Sequence, residues 1–326
     1  MRRRIFLAYG LCVAGIGPHA RAQGAGDLPR VAILSPDTAT GGSDRLAAFL
    51  GTLRELGYVD GRNIRLDIRF AGSRYDRLPA LAAELVEARP AVIFTSSGPG
   101  AFAAAGATTS IPIVVGPTSD QTLQQLAGDF AKPVANVTGL ALSAGFQGEK
   151  CLQLLKEAAP NLTRIGMLLN PDSRTGHPAL DAAAEQLNLV LVRVESRGTV
   201  DISQTLSHYT SGTVDGLLLE DDSTLAGDSG VRARVIEFAL EQHLPSASYN
   251  ITYARDGGLL SLGTDMGPIF RRGAEYVHRI IHGARPSELP VERPTKFQLS
   301  VNLVTAKAIG ITVPSSLLAR ADEVIE

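Results

Sequence analysis

The chain has 326 residues with 31 basic and 33 acidic side chains, a formal charge of −2 that becomes −6 if the first 22 residues are removed. That balance disfavours nucleic acid and anionic membrane as partners. Cys12 and Cys151 are the only cysteines, so after such a removal no intramolecular disulfide is possible and packing alone must stabilise the fold.

The first residues set the expected compartment. Arg2-Arg3-Arg4 precedes a short apolar run from Ile5 to Ile16, and Ala20-Arg21-Ala22 has the small-x-small form of a cleavage site. Residues 1–22 are therefore expected to be a signal peptide cut after Ala22, with a periplasmic destination. Arg3-Arg4-Ile5-Phe6-Leu7 fits the twin-arginine pattern as well as an ordinary secretory start, so both export routes stay open. Cys12 lacks the leucine-then-small-residue lead of a lipoprotein cysteine, and no later segment reaches the roughly 18 apolar residues that spanning needs. The remaining 304 residues form a chain of the length that tends to divide into two domains.

Val31-Ala-Ile-Leu34 reads as a strand, and Leu46, Phe49, Leu50, Leu53 and Leu56 recur at helical spacing until Gly57. Ile64, Leu66, Ile68 and Phe70 alternate as a half-buried strand, and Leu78, Leu81, Ala82, Leu85 and Val86 form a second helical stripe. Strands at 91–94 and 111–115 flank an alanine-rich helix. A second series follows Pro160, with strands at 164–169, 189–194, 216–220 and 244–247 and helices near 178–188, 201–210 and 231–242. After Gly257-Gly258 come a strand at 259–262, a helix near 268–282, a strand at 297–302 and a helix from 303. The pattern predicts two similar doubly wound α/β lobes with parallel sheets, joined by a multi-strand hinge. The expected division gives 28–118 and 249–290 to the first lobe, and 119–248 and 291–326 to the second.

Ligands of open parallel sheets bind outside the carboxyl ends of the strands, and two facing lobes share one cleft there. The loops at those ends supply the candidates: Ser35 and Asp37; Ser96, Ser97 and Gly98; Thr118 and Asp120; Asn170 and Asp172; Asp221 and Asp222. The serine turn at 96–98 opens a helix and could hold a carboxylate, although serine there also serves as an ordinary cap. Glu220-Asp221-Asp222 could pair with an ammonium group, which would suit an amino-acid-like solute, while adjacent acids on a loop are often simply solvated. These loops hold no aromatic residue, and only Tyr249 and Tyr253 could supply one, which argues against an aromatic ligand.

Motifs for enzymes and cofactors are missing: the chain has no G-x-S-x-G, no phosphate-loop signature, no G-x-G-x-x-G and no H-E-x-x-H. No cofactor and no metal site are expected. His278 and His282 are four apart on one helix, yet Arg271 and Glu275 share their stripe, which reads as a polar outer face. Cys151 sits among Leu152, Leu154 and Leu155, the setting of a buried, inert thiol.

Several stretches carry a family resemblance: Leu53-Arg-Glu-Leu-Gly-Tyr-Val-Asp-Gly-Arg-Asn-Ile64, Arg74-Tyr-Asp-Arg-Leu-Pro79, Asn136-Val-Thr-Gly-Leu140, Gly257-Gly-Leu-Leu-Ser-Leu-Gly263, Pro294-Thr-Lys-Phe297, Asn302-Leu-Val-Thr-Ala-Lys307 and Ala319-Arg-Ala-Asp-Glu-Val-Ile325. Through them the chain resembles the ABC-transporter substrate-binding proteins that include tryptophan- and tyrosine-binding importer components. The resemblance implies a type I periplasmic binding fold that closes on a small solute, a membrane permease as partner, and a monomer without covalent chemistry. Two rivals remain. One is a periplasmic hydrolase on the same scaffold with Asp120, Asp172 or Asp222 as general base; the other is a ligand-sensing partner of a membrane receptor.

Overall fold

The computed structural model describes residues 28–39, 43–173, 178–207, 209 and 212–326. The expected signal peptide and Cys12 lie outside the described residues. Short apolar runs become strands where β-branched residues fit a sheet buried on both faces, and the periodic stretches between them become helices.

The first half runs β1 (Arg30–Ser35), α1 (Ser43–Glu55), β2 (Arg65–Phe70), α2 (Leu78–Glu87), β3 (Val92–Thr95), α3 (Gly98–Ala107), β4 (Ile113–Thr118), α4 (Asp120–Ala127) and β5 (Val137–Ala141). These strands form one parallel sheet in the order β2-β1-β3-β4-β5. The second half continues with α5 (Ala144–Ala158), β6 (Arg164–Leu169), α6 (Pro178–Gln186), β7 (Val190–Glu195), α7 (Ile202–Ser207), β8 (Gly216–Leu219), α8 (Ser229–Glu241), β9 (Ser246–Ser248) and β10 (Leu260–Gly263). After α9 (Met266–Ile281) come β11 (Gln298–Asn302), α10 (Leu303–Ala308), α11 (Ser315–Leu318) and β12 (Glu323–Ile325). The second sheet has the order β12-β11-β10-β9-β8-β6-β7, parallel except where β10 meets β11.

Each sheet is covered on both faces. In the first lobe Phe49 of α1 and Phe270 of α9 pack on Phe94 of β3 on one face, the rings of Phe49 and Phe94 lying 4.1 Å apart. Leu78, Leu85, Ala101 and Leu123 from α2, α3 and α4 cover the other. In the second lobe α5, α6, α10 and α11 cover one face, and α7 and α8 the other.

Two boundaries differ from the expected division: α4, expected in the second lobe, packs on the first sheet through Leu123 and Ala127, and Tyr249 and Tyr253, expected in the first lobe, pack in the second-lobe core. Residues 137–141, also expected in the second lobe, form β5 at the edge of the first sheet. Residues 260–263, also expected in the first, form β10 in the second sheet beside β9. A search for two matched series hides both boundaries. The run Val137-Thr-Gly-Leu-Ala is short and centred on glycine, and Gly257-Gly258, which reads as a boundary, is a turn between two neighbouring strands. The chain therefore passes between lobes between β5 and α5, between β10 and α9, and along the segment after Glu292. Glu292 still bonds to the first sheet, its carbonyl accepting from Ala141 N at 2.8 Å. The three passages lie side by side as the hinge.

Candidate ligand-binding site

The carboxyl ends of the two sheets face each other across a cavity of about 240 Å³. That is below the ~300–1,000 Å³ of sites for drug-sized ligands, so the space suits a small solute.

Two helix starts and their caps make the wall from the first lobe. Ser97 adopts φ 67°, in the left-handed region, and its Oγ accepts from Gly100 N at 3.3 Å to cap α3. Ser119 caps α4 by accepting from Thr122 N at 3.2 Å. Both helices thus turn first-turn N–H groups toward the cavity with the positive ends of their dipoles, a setting that favours an anionic group. Thr118, at 3% exposure, lines the same wall, and its Oγ1 has no hydrogen-bond partner among the described residues. Gly98 permits the lobes to meet: a Cβ there would lie 3.0 Å from Thr122 Oγ1 and 3.3 Å from the Ser173 carbonyl of the opposite lobe.

The wall from the second lobe is acidic. Glu220 and Asp222 are buried, and Asp221 is partly buried. Asp221 Oδ1 accepts from Asn250 Nδ2 at 3.0 Å. Asp222 Oδ1 accepts from Thr224 N at 2.8 Å and from Thr224 Oγ1 at 2.6 Å, and Asp222 Oδ2 accepts from the Tyr75 hydroxyl of the first lobe at 2.7 Å. Burial pushes all three carboxyls up; repulsion between them adds to this at Glu220 and Asp221, whereas hydrogen bonds from Thr224 and Tyr75 oppose it at Asp222. Arg45 of α1 projects into the cavity, 4.0 Å from Asp37, and its charge partly offsets that rise at Asp37 and Asp221.

The remaining wall is apolar. Tyr249 is buried with its ring against Gly148 of α5, where a Cβ would lie 3.6 Å from the ring edge. Burial, reinforced by the nearby carboxyls, holds its phenol protonated and so a donor. Leu142, Leu180, Met266 and Phe270 complete the apolar side.

Of the residues expected from sequence, Ser96, Ser97, Gly98, Thr118, Asp120, Asp221, Asp222 and Tyr249 line this cavity. Four do not. Ser35 turns back to accept from Asp37 N at 3.3 Å, and Asp37, on the first lobe, lies 4.0 Å from Arg45 without lining the cavity. Asn170 is buried, donating to Thr224 Oγ1 at 2.8 Å. Asp172 is on the surface, ion-paired with Arg197 at 3.0 Å. Tyr253 lies within the second-lobe core, away from the cavity, and the second aromatic ring is instead Phe270. Arg45, Met266 and Phe270 reach the site from helix stripes that read as packing; the one sequence signal was a lone arginine at the start of an otherwise apolar α1 face.

The three aspartates weighed as general bases are all engaged: Asp120 by Arg293, Asp172 by Arg197, and Asp222 by Tyr75 and Thr224. Among the described residues no histidine lines the cavity, and no cluster of three or more His, Cys, Asp or Glu could hold a metal ion. His278 Nδ1 lies 3.0 Å from the Tyr58 hydroxyl on the outer face of the first lobe. Cys151 is fully buried, and burial pushes its thiol up to about 12.

Two hinged α/β lobes closing over a small polar-and-apolar cavity define a protein that captures a solute. Residues 31–325 match the family described as ABC transporter substrate binding protein, and the chain belongs to that family. A tyrosine-binding protein of Clostridioides difficile is 25% identical over 266 residues, 81% of this chain and 75% of the relative. Among solved structures, a conserved domain protein from Vibrio cholerae is 26% identical with a TM-score of 0.81, covering 91% of this chain and 100% of that one. The ABC domain from Streptococcus pneumoniae in complex with L-Trp shares the fold at 23% identity and a TM-score of 0.79, covering 90% of this chain and 100% of that one. A ligand-free, open substrate-binding protein from Clostridium difficile has a TM-score of 0.62 at 24% identity, covering 91% of this chain and 99% of that one. The protein is thus the extracytoplasmic solute-binding component of an ABC importer, and a membrane permease is its partner. Among the described residues no helix is long and apolar enough to cross a membrane.

Proposed function

We propose that the solute is an α-amino acid with a large apolar or aromatic side chain. The observation that carries this reading is the polarity of the cavity. One lobe offers two helix starts and the free Thr118 hydroxyl to a carboxylate, the other offers Asp221 and Glu220 to an ammonium group, and Tyr249, Met266 and Phe270 lie along the side. Trp- and Tyr-binding relatives support the same choice. Phe270 with Tyr249 also supplies the stacking surface that the loops alone lack.

The chain performs no chemistry on the solute, acts as a monomer in the periplasm, and loses residues 1–22 by cleavage after Ala22 during export. Asp221 and Asp222 are held by structural donors, Asn250 and Thr224, which favours a binding over a proton-transfer role. Because the sequence contains no tryptophan, indole fluorescence reports bound L-tryptophan against a tyrosine-only background. A thermal-shift screen of amino acids, carboxylates, sugars and nucleosides should give its largest shifts with aromatic and large aliphatic L-amino acids, and the retained molecule should be recovered unchanged by mass spectrometry. Preference for a sugar or nucleoside would sink the amino-acid reading; recovery of a converted product would sink the non-enzymatic one.

A further inference from the structure

Across the cleft the lobes are tied by a direct bond between Tyr75 and Asp222, 147 positions apart. Tyr75 opens a short 3-10 turn, Tyr75–Arg77, at the head of α2, and its ring packs in the first-lobe core at 8% exposure. Only its hydroxyl leaves that core, to donate to Asp222 Oδ2 at 2.7 Å. On the other side Asp222 is fixed by both donors of Thr224, and Thr224 Oγ1 accepts from Asn170 Nδ2 at 2.8 Å. Both partners are thus rigidly mounted, one on each lobe, and each oxygen of Asp222 is engaged by protein. Asp221, held through Oδ1 by Asn250, also lines the cavity.

We propose that Tyr75 and Asp222 form a latch that stabilises the closed arrangement of the lobes without ligand, so that Tyr75 is a positioning residue for solute binding. A contact present only in the closed form shifts the open–closed equilibrium by its own differential free energy, whatever occupies the cleft. Closure also brings Asp37 of the first lobe toward Asp222 of the second, a like-charge approach that the phenol and Arg45 offset. Removing the latch therefore raises the dissociation rate of every cleft ligand by one common factor of about tenfold, as for a buried hydrogen bond to a charged group. A residue that touches the solute would discriminate between solutes. The proposal rests on the cleft being the solute site, not on which solute enters it.

Spin labels at Val134 and Val190, exposed positions on opposite lobes, give the interlobe distance by pulsed electron paramagnetic resonance; buried Cys151 does not compete for label. The ligand-free protein should show a major short-distance population that Tyr75→Phe moves to longer distance, with an unchanged near-ultraviolet spectrum apart from the lost tyrosine. Asp222→Ala, which removes both oxygens, should produce the same shift, and the double variant should be no more open than either single one. An unchanged distance distribution in Tyr75→Phe overturns the latch, as do additive effects in the double variant or dissociation rates that rise unequally among solutes. The first measurement needs no ligand, so it stands or falls apart from the amino-acid reading.

Discussion

Asp221 and its neighbours Glu220, Asp222 and Asp37 place four carboxyls in one region from which water is largely excluded. Their pKa values are raised by burial first, so in the ligand-free protein their contribution to stability is fully present below the ordinary carboxylate range and is lost as pH rises through the raised values. Asp215 and Glu292 are lowered and act in the opposite sense, so the cluster is isolated by comparison with Glu220→Gln. Between about pH 7 and pH 5 the ligand-free protein should gain more thermal stability than that variant does, and an ammonium-bearing solute should stabilise most at the higher pH, where it supplies the missing counter-charge. Unfolding midpoints at both pH values, with and without solute, check both signs. Thr118 gives a second expectation. Replacing its buried, unpartnered hydroxyl by a methyl in Thr118→Val should leave the ligand-free midpoint unchanged or slightly higher, and weaken binding about tenfold if the hydroxyl meets the solute carboxylate. Calorimetric titration separates the two; equal affinity would remove Thr118 from the site.

The glycines in the family stretches are explained at the level of the element. A Cβ on Gly139 would lie 2.0 Å from the Val115 carbonyl oxygen, so β5 can pair with β4 only with glycine there. A Cβ on Gly258 would lie 2.1 Å from the Tyr253 ring, and one on Gly263 would lie 2.6 Å from the Tyr249 carbonyl that sets the cavity tyrosine. Gly139→Ala should cost about 3 kcal/mol or more, since backbone rather than a flexible side chain must move, and denaturant unfolding measures it. These same elements mark how far sequence could be read. Strands such as Arg164–Leu169 and helices such as Pro178–Gln186 were legible because their apolar residues recur at a single period. β5 was not, because its identity depends on a close approach to β4 that no local pattern encodes. In the cleft, loop residues were legible from strand ends, whereas Arg45, Met266 and Phe270 lie on helices whose stripes serve core and cavity together.

For the molecule as a whole, the hinge and the cleft are joined by one charge pair. Arg293, on the third passage between lobes, lies over the Phe130 ring and pairs with Asp120 at the first position of α4, which also lines the cavity. Without that partner the Asp120 carboxylate would stand beside the helix starts that face the solute's own carboxylate, and the two negative charges would repel. The pair is half exposed, so its loss should change folding stability little. Its effect should appear in binding: Arg293→Ala should weaken affinity for a carboxylate-bearing solute about two- to fivefold at low salt, with the deficit shrinking as salt screens the repulsion. Adding Asp120→Asn should restore affinity, because it removes the charge that Arg293 neutralises. Titrations of the single and double variants across ionic strength read this directly. A deficit that persists in the double variant would instead place the role of Arg293 in the backbone geometry of the hinge.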